Sequence, residues 1–395
     1  MAHRPNFRPG TVRPTYLWPA QPLKSFYFLI ILFALTNCTD KKNVQLTVGC
    51  EIGDLKIEEI VDGIAVPFGM DFLTDNELII TNRPTGEVLL VDIDTGSKQN
   101  IKGIPPSFLQ GDGGALDILV HPEYDKNGWI YFSHSVGDSV RSTMVVDRFK
   151  LENDSVYNRQ RIFTAVPYYK EPNHFGNRMA IKEGYLYFTM GDRYFLRDSS
   201  QYLSNHLGKV LRIHDDGRIP LDNPYVDSIG ARPEIWSIGH RNPQGLTIHP
   251  ETKDVWEHEH GPLGGDEVNV INSANNYGWP IICHGIDYDG TPIGGGQTHK
   301  KGMEQPVHFY TPSIAPSGMT FYFNDDIPEW DGNLFIGGMA LRHLNRLVIE
   351  NMKVIHEERL LQDLNVRVRN VKQGPDGHLY IAVDGGKILR IIPRN

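Results

Sequence analysis

The chain has 395 residues, 40% of them hydrophobic and 22% charged, the make-up of a packed globular protein with no disorder signature. Its formal net charge of -9 argues against a nucleic-acid partner, because binding a phosphate backbone needs a concentrated positive surface to release counterions. Three cysteines, at positions 38, 50 and 283, are too few for a disulfide framework and lack paired metal-ligand spacing, so stability has to rest on a hydrophobic core.

Arg4, Arg8, Arg13 and Lys24 precede an apolar run from Phe26 to Leu35. At about ten residues the run suits the core of a signal peptide better than a membrane span. It ends in Leu35-Thr36-Asn37-Cys38, which resembles the cleavage box of bacterial lipoproteins, although Asn37 is a less usual residue there. The expectation is export to the periplasm, or attachment to the outer membrane through an acylated Cys38 as the only membrane contact. The alternative is an ordinary cleaved signal with an incidental cysteine. Residues 1–38 are read as this signal, 39–56 as a polar tether and 57–395 as the folded domain.

Within that domain short runs of β-formers and aromatics recur after turn residues, and no long stretch sustains a 3.6-residue period. Six instances stand out: Asp75–Ile80, Lys126–Phe132, Glu183–Phe188, Lys253–Trp256, Asp331–Ile336 and Asp376–Ile381. Each is a turn pair feeding a strand. Their uneven spacing, roughly 45 to 80 residues, predicts an all-β, six-bladed β-propeller with long loops rather than a strict solenoid. Residues 285–302, rich in glycine, read as one such loop. A pair of packed β-sandwiches is the alternative architecture.

Four polar clusters between strands are candidates for chemistry. Asn173-His174-Phe175-Gly176-Asn177-Arg178 holds a histidine among turn residues, a group suited to taking a proton near neutral pH. Gly239-His240-Arg241-Asn242-Pro243-Gln244-Gly245 brackets an arginine and an amide with turn formers, which aims their side chains. In Glu257-His258-Glu259-His260-Gly261-Pro262, followed by Asp266 and Glu267, a strand would place Glu257 and Glu259 on one face and His258 and His260 on the other. Its carboxylates favour a hard cation such as calcium, its histidines zinc. Arg367-Val368-Arg369 sets two arginines on one face of a strand, suited to gripping a carboxylate-rich ligand.

Taken in order, these clusters resemble the PQQ-dependent aldose sugar dehydrogenases, the family of soluble glucose dehydrogenase, over about residues 60–395. The resemblance extends to Gly111-Asp112-Gly113-Gly114, His121-Pro122, Leu207–Arg212, Asp222-Asn223-Pro224, Asn276–Pro280 and Pro312–Gly318. It implies a propeller with PQQ in a cleft at one end, bound to Ca2+, and an aldose oxidised at C1 to the lactone before electrons pass to an external acceptor. By position, His174 matches the general base, and Arg241 and Asn242 match residues on the cofactor, Arg241 stabilising charge on the quinone oxygen. The carbonyls of Gly261 and Pro262 match calcium ligands, Glu267 and Tyr277 match a second calcium position, and Arg367 and Arg369 match the pair that grips the PQQ carboxylates. Asp112 and Asn173 are further cofactor contacts on this reading.

Two departures from the family pattern bear on the site. Asp112 is one methylene shorter than the usual Gln or Glu. Ala340 falls where many members carry a cofactor-binding lysine, and Arg342 is the expected replacement. Two competing functions share the fold: a calcium-dependent lactonase-like hydrolase, which requires several acidic or amide side chains on one metal, and a non-catalytic carbohydrate-binding propeller.

Overall fold

The structure, a computed structural model, describes residues 45–393. Of six antiparallel sheets, five are built from four strands consecutive in sequence. Blade 1 comprises Pro67–Thr74, Glu77–Asn82, Glu87–Asp92 and Lys98–Asn100. Blade 2 comprises Ala115–Val120, Ile130–Gly137, Ser142–Glu152 and Ser155–Thr164. Blade 3 comprises Met179–Lys182, Tyr185–Met190, Lys209–His214 and Ile235–Ile238. Blade 4 comprises Pro243–Ile248, Val255–Glu259, Asp266–Ile271 and His308–Tyr310. Blade 5 comprises Pro316–Phe321, Leu334–Gly338, His343–Glu350 and Lys353–Leu360. Blade 6 takes Val368–Gln373, Leu379–Val383 and Lys387–Pro393 from the C-terminal end of the chain.

Blade 6 is completed by Gly53–Val61, which pairs with Lys387–Pro393. This pairing of the two chain ends closes the ring and leaves no sheet edge facing a gap. The first strands of successive blades lie against one another in a closed cycle around the central axis. Two packed sandwiches are thereby excluded. The core lies between blades, where clusters such as Phe68, Tyr131, Phe175, Phe188 and Leu211 bridge neighbouring sheets.

The tether assignment of 39–56 is corrected in part. Gln45–Cys50 forms a strand paired with Gly53–Glu58, adding a fifth strand to blade 6, and Val48 and Leu55 are buried in its core. Alternation of apolar and polar residues over so short a run was masked by the polar residues flanking it. Residues 1–38, including Cys38 and the signal assigned to them, lie outside the described residues, as do 39–44.

In five blades the first strand carries one extra residue against the second near its start, a β-bulge. The extra residues fall around Phe68, Gln244 and Arg369 in blades 1, 4 and 6. Blade 3 keeps a regular register and supplies Arg178, which is buried on the axis. Its guanidinium donates to the carbonyls of Phe68 (2.8 Å), Gln244 (2.9 Å) and Arg369 (3.2 Å), and to Asp117 Oδ1 (3.2 Å). One side chain thus satisfies carbonyls that the bulges remove from ladder pairing.

Candidate active site

One rim of the propeller is formed by the segments entering first strands and the loops leaving second strands. A cleft of about 240 Å³ on this rim is lined by His174, Asn242, His260 and three arginines, Arg83, Arg367 and Arg369, with Asp112, Gln244 and Phe68. The bulges fall at three of these lining residues, Phe68, Gln244 and Arg369, whose carbonyls are bonded by Arg178.

His174 is held from several sides. Its Nδ1 lies 2.7 Å from Asp192 Oδ1, and Asp192 Oδ2 accepts the indole N–H of Trp279 at 2.9 Å. The Tyr194 N–H donates to Asp192 Oδ1 (2.8 Å), and the His174 N–H donates to Asp112 Oδ2 (3.1 Å). With Nδ1–H given to a carboxylate, Nε2 is left as the basic nitrogen. His174 has φ +50°, a left-handed conformation rare for a residue with a Cβ and one that clusters at functional sites. Gly191 makes room for it: a Cβ there would stand 2.3 Å from the His174 carbonyl oxygen. Burial alone would raise the Asp192 carboxyl, but the His174 hydrogen bond and the charges of His174 and Arg241 hold it below the ordinary range.

The arginines give the cleft its charge. Arg369 makes a two-toothed pair with Asp384 (2.9 and 2.7 Å), and Arg367 donates to the same carboxylate at 2.9 Å. Arg83 lies 5.5 Å over the Phe68 ring and forms no ion pair within 4 Å among the described residues. Burial and the charge of Arg369 lower its guanidinium. Three arginines against Asp112 and Asp384 leave a cationic surplus, which fits a ligand carrying several carboxylates.

Several sequence-predicted residues stand elsewhere. Arg342 is exposed, outside the cleft lining, and donates to the Asn365 carbonyl at 3.4 Å, while Arg83 is a further cation in the cleft. Ala340 is exposed, its N–H bonded to Ile314 O. Asn173 is outside the lining, its amide held by Glu171 and its carbonyl by Arg193. Arg241 turns behind the cleft, donating to the carbonyls of His260 and Gly261, both at 2.9 Å. The Gly261 carbonyl, one expected calcium ligand, therefore keeps a single lone pair for a metal; Pro262 adjoins it, and both residues are buried.

The second expected calcium position is also occupied in part by protein contacts. The Tyr277 hydroxyl donates to Val270 O (2.6 Å) and accepts from Asn272 N–H (2.9 Å), so only its carbonyl is free to act as expected. Glu267 is buried, and burial pushes its carboxyl up to about 8. Asp266, read as favouring a cation, instead accepts from Ser313 Oγ and the N–H groups of Gly261, Ile314 and Ala315. Reasoning from sequence missed Arg83, Asp192 and Asp384. Arg83 and Asp384 directly follow the second strand of a blade, as His260 does, and Asp192 lies one residue further on; that shared place is the signal that would have found them.

A histidine steadied by a buried carboxylate opens onto a cleft with surplus arginines, a propeller rim suited to holding an anionic small molecule. The chain belongs to the glucose and sorbosone dehydrogenase family, whose model matches residues 64–390, and is an enzyme of that sugar dehydrogenase class. It is 36% identical over 348 residues to aldose sugar dehydrogenase YliI of Escherichia coli, covering 86% of this chain and 94% of the relative. A crystal structure of a glucose dehydrogenase superposes with a TM-score of 0.83 at 39% identity, covering 86% of this chain and 99% of the other. The PQQ-bound form of aldose sugar dehydrogenase from Streptomyces coelicolor shares the fold, with a TM-score of 0.71 at 23% identity over 86% of this chain and 98% of its own.

Proposed function

We propose that this chain oxidises an aldose at C1 to the lactone, with PQQ as electron acceptor and Ca2+ beside it. The observation that carries this reading is the His174–Asp192 pair opening onto a cleft with more arginines than acids. PQQ would supply the acceptor for the hydride of C1, and Ca2+, which the carbonyls of Gly261 and Pro262 would hold, would supply Lewis-acid polarisation. Arg83, Arg367 and Arg369 would hold the carboxylates of the cofactor, with Asn242 and Gln244 as amide contacts. His174 Nε2 takes the proton of the anomeric hydroxyl, and Asp192 holds the imidazole in the required tautomer and stabilises the imidazolium that forms.

Arg241 acts through the backbone: it fixes the His260 and Gly261 carbonyls and adds positive charge near Asp192. Glu267 and the Tyr277 carbonyl are proposed as a second calcium position. Electrons leave to an external acceptor. The proposed location is outside the cytoplasm, on a lipid anchor at Cys38. Titrating purified protein with PQQ and Ca2+, and then assaying aldose-dependent reduction of an artificial acceptor, tests the reading. Binding with turnover supports it, and failure of PQQ to bind rejects it.

A further inference from the structure

Behind the Arg241–Asn242 wall of the cleft, three acids and a histidine of blade 4 are buried together. Glu257 and Glu259 point from the second strand, and Glu267 and Asn269 stand directly opposite them on the third. His240, from the loop that enters the first strand, faces the same group, and all five residues are buried. His240 Nε2 is 2.9 Å from Ser237 Oγ, while its Nδ1 has no hydrogen-bond partner. That nitrogen is 3.8 Å from Glu259 Oε2 and 4.0 Å from Glu257 Oε2. These separations are too long for hydrogen bonds. They suit ligands sharing one ion, since donors about 2.0–2.3 Å from a metal stand roughly 3–4.5 Å apart.

We propose that His240 Nδ1, Glu257 and Glu259 bind a structural divalent transition cation of the manganese or zinc type. The three ligand atoms lie within 4.8 Å of one another. Two further buried atoms point to the same conclusion: Glu257 Oε1 and Asn269 Oδ1 have no partner. The Asn269 amide lies against Glu257, with Nδ2 at 3.3 Å from Oε2, and turning it over would present Oδ1 as a further donor. Adjacent buried carboxylates are strongly unfavourable without a cation, and Arg241 hydrogen-bonds Glu259 through its backbone N–H while its guanidinium is held by the His260 and Gly261 carbonyls. With Nε2 beside Ser237 Oγ and Nδ1 buried without a hydrogen bond, His240 turns an open ring nitrogen toward the two carboxylates.

An imidazole donor selects a transition metal over calcium. The donor set also differs from the Glu267 and Tyr277 position proposed above. The ion would brace the His240–Arg241–Asn242 loop against the strand that leads into His260 and Gly261, so its role is to hold one wall of the cleft.

The test is elemental analysis of the full chain after reconstitution with Mn2+, Zn2+ or Ca2+ and removal of free metal, for the wild type and Glu257→Gln, together with melting temperatures. The expected result is about one equivalent of Mn2+ or Zn2+ in the wild type and less than a tenth of that in the variant. A transition-metal chelator should lower the melting temperature of the wild type and leave that of the variant unchanged. Absence of a transition metal, with Glu257→Gln melting at or above the wild type, would overturn the proposal and assign protons as the neutralising charge. Retention of Ca2+ alone in both proteins would overturn it equally. If the variant does not fold, the wild-type metal content decides. None of these outcomes bears on whether the cleft binds PQQ.

Discussion

His174 combines a strained backbone, a carboxylate on Nδ1 and an opening onto the cleft, so its replacement should affect chemistry more than folding. His174→Ala is expected to lower kcat by about 10²–10⁴ while PQQ affinity changes little, which stopped-flow turnover and a binding titration can separate. Asp192→Asn should lower kcat less and also alter acid stability. Because the Asp192 carboxyl is held below its unfolded value, its contribution is full above about pH 4 and is lost as pH falls through the folded value, so the variant should lack that part of the acid transition. Arg83→Met should weaken PQQ binding about 10- to 100-fold, the scale of one charge-assisted hydrogen bond, whereas Arg342→Ala should leave it unchanged. Measured affinities for the pair decide which arginine stands in for the lysine absent at Ala340. His174 was legible in the sequence because turn residues surround it, and Arg83 was not, because one arginine beside a proline in a tight turn looks like any solvated loop.

At the level of elements, the six turn-and-strand signals all correspond to second strands, the one position in each blade with a sharp turn before it and near-continuous burial along it. The first strands were hidden. Val368–Gln373 reads Val-Arg-Asn-Val-Lys-Gln, and a bulge breaks its alternation while its polar side chains serve the axis and the cleft. Gln45–Cys50 was read as tether because nothing local shows that Gly53–Val61, itself docked on the C-terminal strand Lys387–Pro393, has a free edge for it to extend. Arg178 links the elements around the axis. Arg178→Met would strand buried Asp117 and free three bulge carbonyls, so a loss of about 3–5 kcal/mol in unfolding free energy is expected from denaturant titration, with weaker cofactor binding.

For the whole molecule, closure by Gly53–Val61 against Lys387–Pro393 makes the two chain ends interdependent. A chain ending at Gly386 should lose cooperative unfolding and soluble yield, because blade 6 would be split into two separate strand pairs, Val368–Gln373 with Leu379–Val383 and Gln45–Cys50 with Gly53–Glu58, each exposing an apolar edge. The ring also explains why one rim collects the chemistry: every blade presents the start of its first strand and the end of its second on the same side, so residues far apart in sequence, from Arg83 to Asp384, converge there. The central claim is that this convergence makes a PQQ-dependent aldose dehydrogenase. It is tested most directly by aldose-dependent dye reduction with purified protein, with and without PQQ and Ca2+, beside His174→Ala. The account predicts turnover only with both additions and its collapse in the variant; PQQ-independent turnover, or no PQQ binding at all, would contradict it.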